Sequence, residues 1–364
     1  MRRTWTVLTV GALASMLASA IPASAAGTFI GPLHHISKVA STVPANGDVN
    51  PYGVARVPVS KGSLVSGDVL VSNFNDKANL QGTGKTIVEI SPGGHRRLFA
   101  HIRASGLPGP CPGGVGLTTA LTVLKKGFVI VGSLPTKNGM ASTAKRGCLL
   151  VLDSSGAVKE TISGTKINGP WDMTALDQGT RATLFVTNVL NGTVAAGGNV
   201  VRRGTVLRID LHIPGMTMPS VTSETVVGSG FAERTDPAAL VVGPTGLGLG
   251  TAGLYVAGTV NSRIGLISNP VLRMTSAGTG SGVTKGGNLK QPLGLTIAPN
   301  GDVLTVNAGN GKIVETKPSG SQVATKVLDS SGSPPGAGTL FGLAIAPTGV
   351  YFVDDGTNRL MLLH

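Results

Sequence analysis

PLGLTIAPNGDVLTVNAGNGKIVETKP, residues 292–318, reads as three short strands separated by turns. Residues 295–298 are apolar and run into the turn PNGD. Residues 303–307 form a second run that ends at AGNG, and residues 312–316 form a third. Ser319 and Gly320 then lead into QVATKVL, residues 322–328. Four short strands joined by turn residues make an antiparallel meander. One such sheet is too small to stand alone and needs similar sheets against its faces.

Working outward, the same pattern recurs along the chain. FGLAIAPTGVYFVDDGTNRLMLL, residues 341–363, repeats it closely. Looser copies begin at Pro51 (PYGVARVP, GDVLVSNFND, KTIVEIS) and Pro112 (PGGVGLTT, GFVIVGSL, GCLLVLD). Two more begin at Pro170 (PWDMTAL, TLFVTN, GTVLRIDL) and Pro237 (PAALVVGP, GLYVAGTVN, RIGLIS). Aligning the start of each first strand places Gly53, Gly114, Asp172, Ala239, Gly294 and Gly342 in register, at gaps of 61, 58, 67, 55 and 48 residues. Six units of blade size predict an all-β protein, a six-bladed β-propeller of four-stranded antiparallel blades. A closed ring is one cooperative unit, so residues 26–364 are expected to form a single domain.

The last unit stops after three strands. Residues 29–43, FIGPLHHISKVASTV, hold a spare strand at the other end. Pairing the two would remove two sheet edges, so residues 28–43 are expected to close the ring, with 34–42 beside 360–363.

Residues 1–25 read as a secretory signal peptide. Arg2 and Arg3 lead a small apolar run, Val7 to Ile21, and Ala23-Ser24-Ala25 is an A-x-A cleavage site. Cleavage after Ala25 predicts export to a periplasmic or extracellular space, with no transmembrane segment in the mature chain. Removing two arginines takes the formal charge from +13 to +11.

Export permits a disulfide. Cys111 precedes the first strand of its unit and Cys148 begins the third, about 9–10 Å apart at two strand spacings. A bridge requires the loop at Cys111 to bend; the other arrangement is two separate thiols. Neighbouring His34 and His35 sit on a strand and face opposite ways, so they do not aim at one metal. Lys and Arg occur in runs no longer than two, as a solvated basic rim that would also attract an anionic envelope surface. Export and an aromatic content of 4% argue against nucleic acid.

In a propeller meander, the loop before the first strand and the loop between the second and third open on one face, here called the loop face. The second strands end in Asn73, Ser133, Asn188, Gly258, Asn307 and Asp354, and the leading loops carry Asn50, Asn168, Asp236 and Gln291. These mostly neutral oxygens at one channel mouth suit a hard cation such as calcium or another divalent ion. Turn formation by Asn and Asp explains them equally. Asp172 breaks a series of small residues. Asn168, Asp172 and Asp236 are the candidate metal ligands; with Asn188, Asn307 and Asp354 they are the candidate ligand-binding set. The alternative role for Asp172 is bonding backbone amides of a neighbouring blade.

The units resemble NHL repeats, and the whole resembles the gluconolactonase and senescence-marker-like propeller superfamily. The match is clearest in QPLGLTIAPNGDVLTVNAGNGKIVE, residues 291–315, and extends over residues 46–364. The resemblance implies a divalent ion held by Glu, Asn and Asp around the channel, and Asn168 in NGPWDM matches the asparagine. The glutamate has no counterpart, since the first strand of the first unit reads PYGVARV. Two functions are therefore expected. The first is a non-enzymatic propeller binding a protein, carbohydrate or small molecule on its loop face and channel mouth. The alternative is a metal-dependent hydrolase (lactonase-like) or lyase at the channel.

Overall fold

The computed structural model describes Met1, residues 27–215 and residues 217–364. The predicted signal peptide beyond Met1 and its cleavage site lie outside the described residues. Blade 1 contains Val49–Arg56, Val69–Asn75, Thr86–Ile90 and Arg96–His101. Blade 2 contains Leu117–Val123, Val129–Ser133, Cys148–Leu152 and Val158–Ile162. Blade 3 contains Pro170–Asp177, Arg181–Asn188, Val201–His212 and the long Ser220–Asp236, whose end pairs with a short strand, Leu240–Val242. Blade 4 contains Pro244–Gly250, Gly253–Gly258, Arg263–Ile267 and Ser281–Lys285. Blade 5 contains Pro292–Ile297, Val303–Asn307, Lys312–Thr316 and Gln322–Val327.

Blade 6 joins the two ends of the chain. Leu340–Ala346, Gly349–Asp354 and Arg359–Leu363 are completed by Ile36–Ser41 as the outermost strand. Ile36 pairs with Leu363 and Ser41 with Arg359, antiparallel, so the ring closes where the sequence pattern placed it. Phe29 and Ile30 add a second clasp, donating their amides to the buried Glu315 carboxylate of blade 5.

The first strands stand side by side around the axis, each packed on those of the two neighbouring blades. Their close approach explains the small residues near their starts. A Cβ at Gly294 or Gly342 would run into the backbone carbonyl of Phe341 or Tyr52 in the next blade. Hydroxyls pin neighbours together at the same level. Ser72 donates to Thr118 O (2.7 Å), and Thr187 donates to Thr245 O (2.9 Å).

Two units depart from the predicted register. CPGG is a turn, closed by Gly114 N donating to Cys111 O, so blade 2 starts its first strand at Leu117. The apolar run PAALVVGP is not the first strand of blade 4. Its Leu240–Val242 pairs back on residues 234–236 of blade 3, and the inner strand begins only at Pro244. At the aligned level five blades thus carry Gly53, Asp172, Gly246, Gly294 and Gly342, while in blade 2 three residues, 118–120, lie opposite Gly132.

Cys111 and Cys148 form a disulfide with Cα atoms 5.2 Å apart. The CPGG turn bends the loop inward, which brings Cys111 well inside the separation expected from strand spacing. Among the described residues, no helix is long and apolar enough to cross a membrane.

Candidate binding site at the channel

On its loop side the channel is closed by apolar side chains. Tyr52 stacks on Phe341 (3.9 Å between ring centroids) and on Phe74 (4.4 Å), with Trp171 tilted 6.2 Å from Tyr52. Leu293 and residues 239–242 join the same cluster. Trp171 Nε1 donates to Val241 O (3.1 Å), tying the blade 3 hairpin across the plug. Four blades contribute to this plug, so the mouth expected to be polar is filled by core.

The residue after Trp171 faces another environment. Asp172 is 8% exposed and lines a cavity of about 270 Å³ between the later halves of the first strands. Its Oδ1 accepts from Met173 N (2.8 Å) and its Oδ2 from Leu247 N (3.0 Å), the latter in blade 4. Burial pushes its pKa up to about 7, with the two amide bonds pulling the other way. The Leu247 contact is the inter-blade amide bond weighed as its alternative role.

The other candidates each tie down a loop. Asn168 Nδ2 donates to Asn191 Oδ1 (2.6 Å), and Asn168 N donates to Asn188 Oδ1 (3.1 Å). Asp236 Oδ1 accepts from Ala238 N and Ala239 N, while its Oδ2 pairs with Arg234 (2.8 Å), which fixes the hairpin turn. Asn307 Nδ2 donates to Asn288 O and Asn310 Oδ1, and Asp354 accepts from Thr357 N and Oγ1. Asn73, Ser133, Asn188, Gly258, Asn307 and Asp354 do occupy one equivalent position, opposite Pro51, Leu117, Pro170, Pro244, Pro292 and Leu340. Equivalence places one in each blade; it does not make them converge.

The proposed metal ligands are likewise kept apart. Asp172 lines the inner cavity, Asp236 borders a cleft on the loop face, and Asn168 lines neither. Among the described residues, no group of three or more His, Cys, Asp or Glu side chains is placed to hold a metal ion.

Sequence reasoning missed two features. Glu233 is fully buried, accepts from Asn191 N (3.0 Å), and completes a chain with Asn168 and Asn188. Its pKa is pushed up to about 7 by burial, against the pull of the Asn191 bonds and Arg203. The alternation in SGFAER, within an unusually long strand, was the available signal. The second is a loop-face cleft of about 410 Å³, with Leu293 and Phe341 among its walls and Asp236, Thr259 and Gln291 as polar groups.

The protein is therefore a six-bladed β-propeller with an apolar plug at the loop end of its channel and a polar cavity below. Its sequence matches no protein-family model and no curated protein. Solved structures share its fold. A gluconolactonase from Xanthomonas campestris is 11% identical with a TM-score of 0.52, covering 91% of this chain and 95% of its own. Regucalcin, a calcium-binding protein from Agrobacterium tumefaciens, is 11% identical at 0.53, covering 90% and 93%. A putative oxidoreductase (glucose dehydrogenase) from Thermus thermophilus is 13% identical at 0.55, covering 91% and 99%. At such identities the likeness establishes the shared fold alone.

Proposed function

We propose that this protein is an exported binding propeller that takes a protein segment, a carbohydrate or another small ligand on its loop face. The loop-face cleft carries the reading. Ala238, Ala308 and Pro334 offer accessible apolar contact over the buried Leu293 and Phe341, and Asp236, Gln291 and Ser333 supply groups that orient a ligand. The candidate acids are engaged in turns and inter-blade bonds, which favours binding over metal-dependent hydrolysis or lysis. The formal charge of +11 after cleavage adds attraction to anionic envelope surfaces.

The test uses secreted, mature protein whose N-terminal sequence begins at Ala26. Ala238 is exposed at the cleft, so Ala238→Trp would fill it without disturbing the core. A ligand panel read by thermal shift is expected to stabilise the wild type and not this variant. Stoichiometric calcium or another divalent metal, with chelator-sensitive lactone hydrolysis, would overturn the reading in favour of the metal-dependent enzyme.

A further inference from the structure

The cavity below the plug carries polar groups whose hydrogen-bonding capacity the blades leave partly unused. Thr119 lines it and is 4% exposed, and its hydroxyl has no hydrogen-bond partner. Asp172 shares the cavity and accepts one amide on each carboxylate oxygen, which leaves each oxygen room for another donor. Among the described residues no Lys or Arg pairs with Asp172, although the full sequence carries 30 such residues against 17 acids. Arg56, exposed and also lining the cavity, stands three residues along the strand from Gly53, which is level with Asp172. Strand rise puts it about 10 Å further along the channel.

This arrangement is an acceptor pair at the inner end and a cation at the outer end. The volume of 270 Å³ equals about nine waters' share of the liquid, enough for one molecule of amino-acid size. We propose that this cavity binds small primary-ammonium compounds, with the ammonium held by Asp172 and Thr119 and Arg56 facing a carboxylate at the ligand's other end. An ammonium carries three donors and no acceptor, which suits two carboxylate oxygens and a free hydroxyl. The site lies on the other side of the plug from the loop-face cleft and does not depend on it.

Titration calorimetry at pH 8 with 4-aminobutyrate, butylamine and butyrate tests the proposal. Saturable binding of 4-aminobutyrate is expected, weaker binding of butylamine, and none of butyrate. Thr119→Val removes a hydroxyl with no partner to lose and should weaken binding about tenfold with the fold intact. Asp172→Asn should abolish it, and Ala238→Trp on the loop face should leave it unchanged. Failure of the wild type to bind either amine at millimolar concentration would overturn the site, as would Thr119→Val binding as tightly as wild type. Butyrate binding as well as butylamine would reverse the assigned polarity and equally refute it.

Discussion

At the level where four blades carry glycine, blade 3 carries Asp172, whose carboxylate reaches the Leu247 amide of blade 4. Replacing it with alanine leaves the buried amides of Met173 and Leu247 unpaired. Asp172→Ala should therefore cost about 1–3 kcal/mol in urea unfolding. Loss of amine binding without any loss of stability would show that the amide bonds are immaterial to folding. The pH dependence has a definite sign. Asp172 rises from 3.8 to about 7 and Glu233 from 4.5 to about 7, both mainly through burial. A carboxyl raised in the folded state contributes stability that is full below its unfolded pKa and lost as pH climbs through the folded one. These two groups should thus lower the melting midpoint as pH rises from about 4 to about 8. In Asp172→Asn that decline should be shallower; an identical slope would mean that Asp172 does not titrate in this window.

At the scale of single elements, Ile36–Ser41 contributes ring closure rather than a core of its own, since only Ala40 on it is fully buried. Deleting residues 28–43 bares the edge of Arg359–Leu363 and removes the amide clasp on Glu315. The deletion protein should aggregate or melt well below the parent, as read by light scattering and calorimetry. The disulfide acts differently. Cys111 and Cys148 are 37 residues apart, and in the chain-entropy model such a loop contributes roughly 3–4 kcal/mol. Reduction should lower stability by about that amount, and peptide mapping without reductant should recover the two cysteines linked.

For the whole molecule, the shared plug and the clasped ends imply one cooperative unit. Trp171 is the only tryptophan downstream of the predicted cleavage site and sits within the plug. Its fluorescence should change together with far-UV circular dichroism through urea unfolding. Separate midpoints would mean that blades unfold independently.

Blade count, strand order and the closing partner were legible in the sequence because each rests on local pattern. Apolar alternation, glycine turns and a missing fourth strand recur within about fifty residues of one another, and PLGLTIAPNGD shows all the turn chemistry in one reading. The equivalence of Asn73, Asn188, Asn307 and Asp354 was legible for the same reason. Packing around the axis was not. Tyr52, Trp171, Leu293 and Phe341 come from four blades, and nothing local to any of them announces that they meet. PAALVVGP was apolar enough to be an inner strand, yet the preceding strand was long enough to capture it in a hairpin. The fate of Asp172 shows the limit most clearly. Around Trp171 and Asp172 the register shifts, so that two residues lie opposite Thr187 alone. Such a bulge interrupts the regular alternation and re-aims its side chains, and here one enters the plug while the other turns to the cavity and the next blade's amide. Which side each takes depends on neighbours some seventy residues away, Val241 and Leu247, and therefore on the closed ring.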